Sequence, residues 1–208
     1  MLLTLMVIAS AAGVSLTGLL IWTCLDPRAR FWPSPGTWSW QSLLFWALFR
    51  TLNISALALS CLDWQPGMAL APERWIGGAL AAASFVFYGL ACYTLGRANV
   101  YCGKDGLVIQ GVYRWTRNPQ YATAIPAYAG LALASQSPVA LLPILLAVAC
   151  FMLMAAAEEP WLRSVYGDPY ARYCQRVPRF YNWRQAIGTA RLAASHARKM
   201  LKEMRSEA

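Results

Sequence analysis

Apolar residues fill several long runs along the chain, and polar or charged residues gather in the connections between them. A helix of roughly 20 apolar residues is long enough to cross a hydrocarbon core. On this pattern the chain predicts five membrane segments, at Leu2–Trp22, Gln41–Leu62, Trp75–Leu95, Gln120–Ser135 and Pro138–Ala157. The expected fold class is therefore all-α, a polytopic membrane helical bundle. Ser137-Pro138 leaves almost no loop between the last two segments, so they should form a tight antiparallel hairpin with both outer ends on one side. The third segment carries Gly77, Gly78, Ala81, Ala82 and Ala83, small residues that let helices approach closely. The first run lacks a basic leader and exceeds the ~7–15 apolar residues of a secretion signal, so it reads as a retained membrane helix.

Composition agrees. Of 208 residues, 58% are hydrophobic and 13% charged, against about 25% charged in a typical soluble domain. The mean hydropathy is +0.39. One compact unit over residues 1–182 is expected, followed by a basic tail over 183–208. In the tail, Trp183, Ile187, Ala190, Ala194, Ala197, Leu201 and Met204 recur in helical steps among arginines and lysines. That spacing predicts an amphipathic helix lying on an anionic leaflet.

The charges set an orientation. Arg28 and Arg30 follow the first segment, Arg97, Lys104, Arg114 and Arg117 follow the third, and a further basic run extends from Arg163 to Arg205. By the positive-inside rule the N-terminus is expected outside, with the third connection and the tail in the cytoplasm. Topology thus accounts for most of the net charge of +9, and no nucleic-acid partner is expected. The six cysteines are scattered without a CxxC pair, and His196 is the single histidine, which argues against a metal site or a disulfide framework. The cysteines read as small buried apolar side chains. Arg50 lies near the middle of the second segment. It is either a candidate substrate contact or a bundle residue bonded to carbonyls or Asn53.

Polar chemistry concentrates at one threshold. In "GVYRWTRNPQY", Asn118 is expected to cap a helix through its side-chain oxygen, with Pro119 in the first helical position. Unpaired N–H groups there would favour an anion, reinforced by Arg117. The fifth segment ends in Glu158-Glu159, and the hairpin should return these acids to the face carrying Arg117–Tyr121. They would either pair with Arg114, Arg117 or Arg163, or form the anionic pole of a pocket whose cationic pole is Arg117. Beyond them, "VYGDPYARYCQRVPR" repeats the cap-and-proline device at Asp168-Pro169 and predicts a short helix bearing Tyr170 and Tyr173, able to cover such a pocket.

Together, "GLVIQGVYRWTRNPQY", a helical hairpin, Glu158-Glu159 and "YGDPYARYCQRVPR" resemble the isoprenylcysteine carboxyl methyltransferase and phospholipid methyltransferase superfamily of integral membrane enzymes. The resemblance covers roughly residues 104–179 and implies a cofactor region over 96–179. It implies methyl transfer from S-adenosylmethionine to a lipophilic acceptor, with no metal. It implies cofactor contacts at Asp105, Gly106, Leu107, Val108, Tyr113, Asn118, Pro119, Gln120, Tyr121, Glu158 and Glu159, with Arg117 and Glu158 as catalytic candidates. Two positions depart from the pattern. The family's Arg-His-Pro reads Arg117-Asn118-Pro119, and a substrate-linked arginine one turn before the glutamate is replaced by Met154. These departures leave carboxylate, amine, phenol and thiol acceptors open. Arg50, Met154, Tyr166, Tyr170 and Arg172 are the candidate substrate-side residues. The competing expectations are an NADPH-dependent membrane reductase, since sterol reductases resemble the same half, and a non-catalytic membrane scaffold.

Overall fold

A computed structural model describes residues 1–26, 28–64, 71–101, 103 and 105–181. The amphipathic helix expected over 183–208 lies outside these residues. Within them every regular element is helical: α1 (Leu2–Leu25), α2 (Trp40–Leu62), α3 (Pro72–Leu95), a short α4 (Arg97–Val100), a 3-10 turn at Gly111–Arg114, α5 (Pro119–Ser135) and α6 (Pro138–Arg176).

Helices α1, α2, α3 and α6 are long and apolar enough to cross a membrane. The fourth expected segment is present as α5, but its 17 residues rise only about 26 Å, slightly less than a hydrocarbon core of ~30 Å. Large apolar side chains such as Val7, Val14, Ile54, Ile76 and Val86 point outward, as a lipid-facing surface requires. Cys24 and Cys61 are on that surface too, so of the described cysteines only Cys150 is fully buried; Cys92 and Cys174 are intermediate, and all five are free thiols.

Local chemistry fixes the helix ends. Ser39 caps α2 by accepting from the Ser42 N–H at 3.2 Å. Ser137 caps α6 by accepting from the Ala140 N–H at 3.1 Å and donates to Asp63 Oδ2 at 2.8 Å, tying the hairpin tip to the end of α2. Gln136 adopts a left-handed φ of 51° and closes α5, so two residues suffice to reverse the chain. The expected hairpin is therefore present.

The small residues of α3 act at one crossing. A Cβ on Gly130 of α5 would come within 2.6 Å of Gly77 O, and a Cβ on Gly77 within 2.7 Å of Gly130 O. Gly78, by contrast, faces open space. On the other side, Leu16 and Leu20 of α1, Phe45 and Leu52 of α2, and Ile144, Cys150 and Phe151 of α6 form one buried core with Tyr121 and Tyr128 of α5. Helix α6 continues past the expected end at Ala157 and is broken at Gly167, whose φ of 55° and ψ of −133° are non-helical. The restart at Asp168-Pro169 is the short helix that the sequence predicted.

Candidate active site at one end of the bundle

The ends of α3, α5 and the membrane part of α6 converge on a cleft. It encloses about 660 Å³, part of it open to solvent, and is lined by Pro33, residues from Leu95 to Val108, the start of α5, and α6 from Glu158 to Tyr173.

The adjacent acids face different partners. Glu159 is buried and clamped: Arg117 reaches its Oε1 at 2.6 Å, and Arg179 makes a bidentate pair at 2.8 and 2.7 Å. Arg117 also donates to the carbonyls of Cys174 and Val177, both at 2.9 Å, and its backbone N–H donates to Pro178 O at 2.9 Å. Arg117 is thus spent mostly on folding the end of α6 back under the bundle. Its buried Nε alone keeps no partner. Glu158 instead lines the cleft. Its Oε1 accepts from the Trp32 indole at 2.8 Å and, through a very short bond, from the Tyr121 hydroxyl. Both bonds fall on Oε1, which leaves Oε2 to accept from a ligand.

Asn118 is the N-cap residue of α5, but its side chain makes no cap bond. Its Nδ2 donates to Arg179 O at 3.1 Å, beside Thr116 Oγ1, which donates to the same carbonyl at 3.0 Å. The expected side-chain cap is therefore corrected: the returning segment captures the amide first. Ala122 is the residue whose N–H first bonds back to Asn118 O, so the Gln120 and Tyr121 N–H groups precede the helical ladder.

Tyr113 is buried, donates to Gln120 Oε1 at 2.5 Å and receives on its carbonyl the Tyr173 hydroxyl at 2.6 Å. Burial, then the Glu158 carboxylate, raises its phenol above the ordinary range, so it remains a proton donor. Asn99 shapes the opposite wall by donating to Gly106 O at 3.2 Å and accepting from the Asp105 N–H at 3.1 Å.

Of the residues singled out in the sequence, Gly106, Leu107, Val108, Tyr113, Arg117, Asn118, Gln120, Tyr121, Glu158, Tyr166 and Tyr170 line the cleft. Asp105, Pro119 and Glu159 support its walls without lining it. Met154 is buried in the core. Arg50 is exposed and lies 5.4 Å over the Trp46 ring. Asn53, its expected partner, bonds to Phe49 O at 2.6 Å and takes the Tyr128 hydroxyl instead. Arg172 lines a separate cavity.

Trp32, Asn99, Trp161 and Arg179 were not anticipated. Trp32 had a signal, an aromatic and proline-rich loop "RFWPSPGTWSW" directly before α2, but its partner lies 126 residues away. It is held by stacking on Phe45, with ring centroids 3.9 Å apart.

Residues 72–169 match the family model for phospholipid methyltransferases. These matches support the chain's place in the membrane methyltransferase superfamily. The chain is also 29% identical over 136 residues to a phosphatidylethanolamine N-methyltransferase of Schizosaccharomyces pombe. That alignment covers 57% of this chain but 15% of the relative, so the chain corresponds to a small part of it. No solved structure matches. The phospholipid methyltransferase match covers α3, α5 and the membrane part of α6, and so includes most of the cleft.

Proposed function

We infer that the chain transfers a methyl group from S-adenosylmethionine to the headgroup amine of a membrane phospholipid. The observation that carries this reading is a single cleft that gathers Arg117, the start of α5, five tyrosines and Glu158. The residues suit the cofactor. The unpartnered Arg117 Nε and the positive N-terminal end of α5 favour a carboxylate. Glu158 Oε2 suits an ammonium or ribose hydroxyls, and aromatic faces favour a sulfonium by about 0.5–2 kcal/mol. S-adenosylmethionine, when bound, supplies a methyl group activated by its positive sulfur.

The chain's own contribution is positioning and exclusion of water. Tyr113 stays protonated and orients Gln120. The Glu159 clamp holds the α6 return against the cleft. Glu158 Oε2 can accept the proton that an ammonium acceptor must lose. A second cavity supports an acceptor path. It is lined by Thr23, Arg30, Trp32, Ala157, Pro160 and Ser164, and shares Pro33 and Trp161 with the cleft. Arg30 has no ion-pair partner among the described residues. The order cation, aromatic wall, carboxylate matches a zwitterion with its phosphate at Arg30 and its amine toward Glu158. The relative from Schizosaccharomyces pombe is itself named for N-methylation of such a lipid. The positive-inside pattern puts both cavities at the cytoplasmic face.

The test is labelled methyl transfer by the purified chain in vesicles containing phosphatidylethanolamine. Label in the lipid fraction, as N-methylated product, is expected; label confined to water, or lipid labelled equally when the amine is blocked by acylation, overturns the acceptor assignment.

A further inference from the structure

A third cavity carries three arginines that neither the cleft nor the acceptor path uses. Arg114, at the end of the 3-10 turn, meets Arg172 and Arg176 of α6 around a space also lined by Leu107, Ile109 and Val177. Among the described residues no carboxylate lines it. Both ion pairs among the described residues belong to Glu159, so Asp168, one turn before Arg172, neutralises none of the three.

This arrangement is unfavourable without a counter-ion. Arg172 and Arg176 are four apart on one helix, where like charges repel, and Arg114 adds a third positive charge from a distant part of the chain. The C-terminus of α6 favours a cation in its last turn; that accounts for Arg176 but not for the other two. The apolar part of the lining separates this cavity from a site for a small hydrated ion.

We propose that the cavity binds the headgroup of an anionic phospholipid, with its phosphate among Arg114, Arg172 and Arg176 and its glycerol end against Leu107, Ile109 and Val177. Three guanidinium groups match a phosphate with several oxygens, and the apolar residues match the lipid attached to it. The position gives the site a consequence. Tyr173 and Leu107 line both this cavity and the cleft, and Tyr173 donates to the carbonyl of Tyr113, next to Arg114. An occupant therefore bears on the wall of the cleft, and an anionic lipid in the same leaflet should tighten ligand binding there. The binding assignment does not depend on which reaction the cleft performs.

The test uses the full chain in nanodiscs of phosphatidylcholine, titrated with dioctanoyl phosphatidic acid and followed by native mass spectrometry. Saturable binding of one lipid is expected, with dioctanoyl phosphatidylcholine failing to compete. The double variant R172Q/R176Q should weaken binding about tenfold or more, given the contribution of each basic residue near a lipid phosphate. Arg28→Gln, which removes a charge outside the cavity, should leave it within about twofold. Equal losses in the double variant and the control would reduce the site to diffuse surface charge and overturn it. Inorganic phosphate binding as tightly as the lipid would overturn the lipid assignment. An acidic peptide displacing the lipid at equal concentration would do the same in favour of a protein partner. Since all three arginines are exposed, both variants should fold, which unchanged melting temperatures would verify.

Discussion

The indole of Trp32 donates to Oε1 of Glu158 at 2.8 Å, joining residues 126 apart in sequence. This bond sits where the cleft and the second cavity share a wall, and together with the Tyr121 hydroxyl it fixes the carboxylate through Oε1. Trp32→Phe keeps the stacking on Phe45 but deletes the donor. It should weaken binding of S-adenosylhomocysteine several-fold, on the scale of about 0.5–1.5 kcal/mol for one hydrogen bond, with little change in melting temperature. Calorimetric titration beside thermal unfolding checks both parts.

Glu159 should behave in the opposite way. It is the common partner of Arg117 and Arg179, and its removal leaves Arg117 buried without a counter-charge. Breaking a fully buried pair costs about 3–5 kcal/mol; the partial exposure of Arg179 lowers the expectation for Glu159→Ala to roughly 2–4 kcal/mol. A melting temperature unchanged by this substitution would show that the clamp does not hold the α6 return.

The hairpin, the convergence of Arg117 with the Glu158-Glu159 pair and the break at Gly167 were legible in the sequence. Each depends on local signals: proline after Ser137 or Asn118, acids at the end of an apolar run, glycine before Asp168-Pro169. The division of labour between Glu158 and Glu159 was not legible. It is decided by Arg179 and Trp32, whose approach depends on packing at long range. Asn118 shows the same limit. Its identity announced a cap, yet the carbonyl of Arg179 competes successfully for its side chain. Small residues in the third segment signal a close approach, but only the structure shows that Gly77 meets Gly130 of the fourth while Gly78 does not.

That crossing gives a third prediction. Gly130→Val would drive a branched side chain into the backbone of Gly77 and Ala81, an overpacking cost of about 1–3 kcal/mol or more. Gly78→Val, one residue from the crossing and facing open space, should be tolerated. Melting temperatures of the two variants in one detergent provide the comparison, and equal values would refute close backbone packing of α3 on α5.

Arg30 separates the acceptor from the donor. It lines the second cavity and not the cleft. Arg30→Gln should raise the KM for a short-chain phosphatidylethanolamine about five- to tenfold, on the scale of one charged contact, while leaving S-adenosylhomocysteine affinity unchanged. A fall in cofactor affinity with unchanged KM would reverse the assignment of the two cavities.

The central claim is that one cleft at the end of the bundle holds a nucleoside methyl donor against Glu158. Its most direct test is isothermal titration of S-adenosylhomocysteine into the purified chain and into Glu158→Gln, with NADPH as competitor. The account predicts one saturable site in the wild type, affinity reduced about tenfold or more in the variant, and no displacement by NADPH. Absence of binding at millimolar ligand, equal affinity in the two proteins, or displacement by NADPH would contradict it.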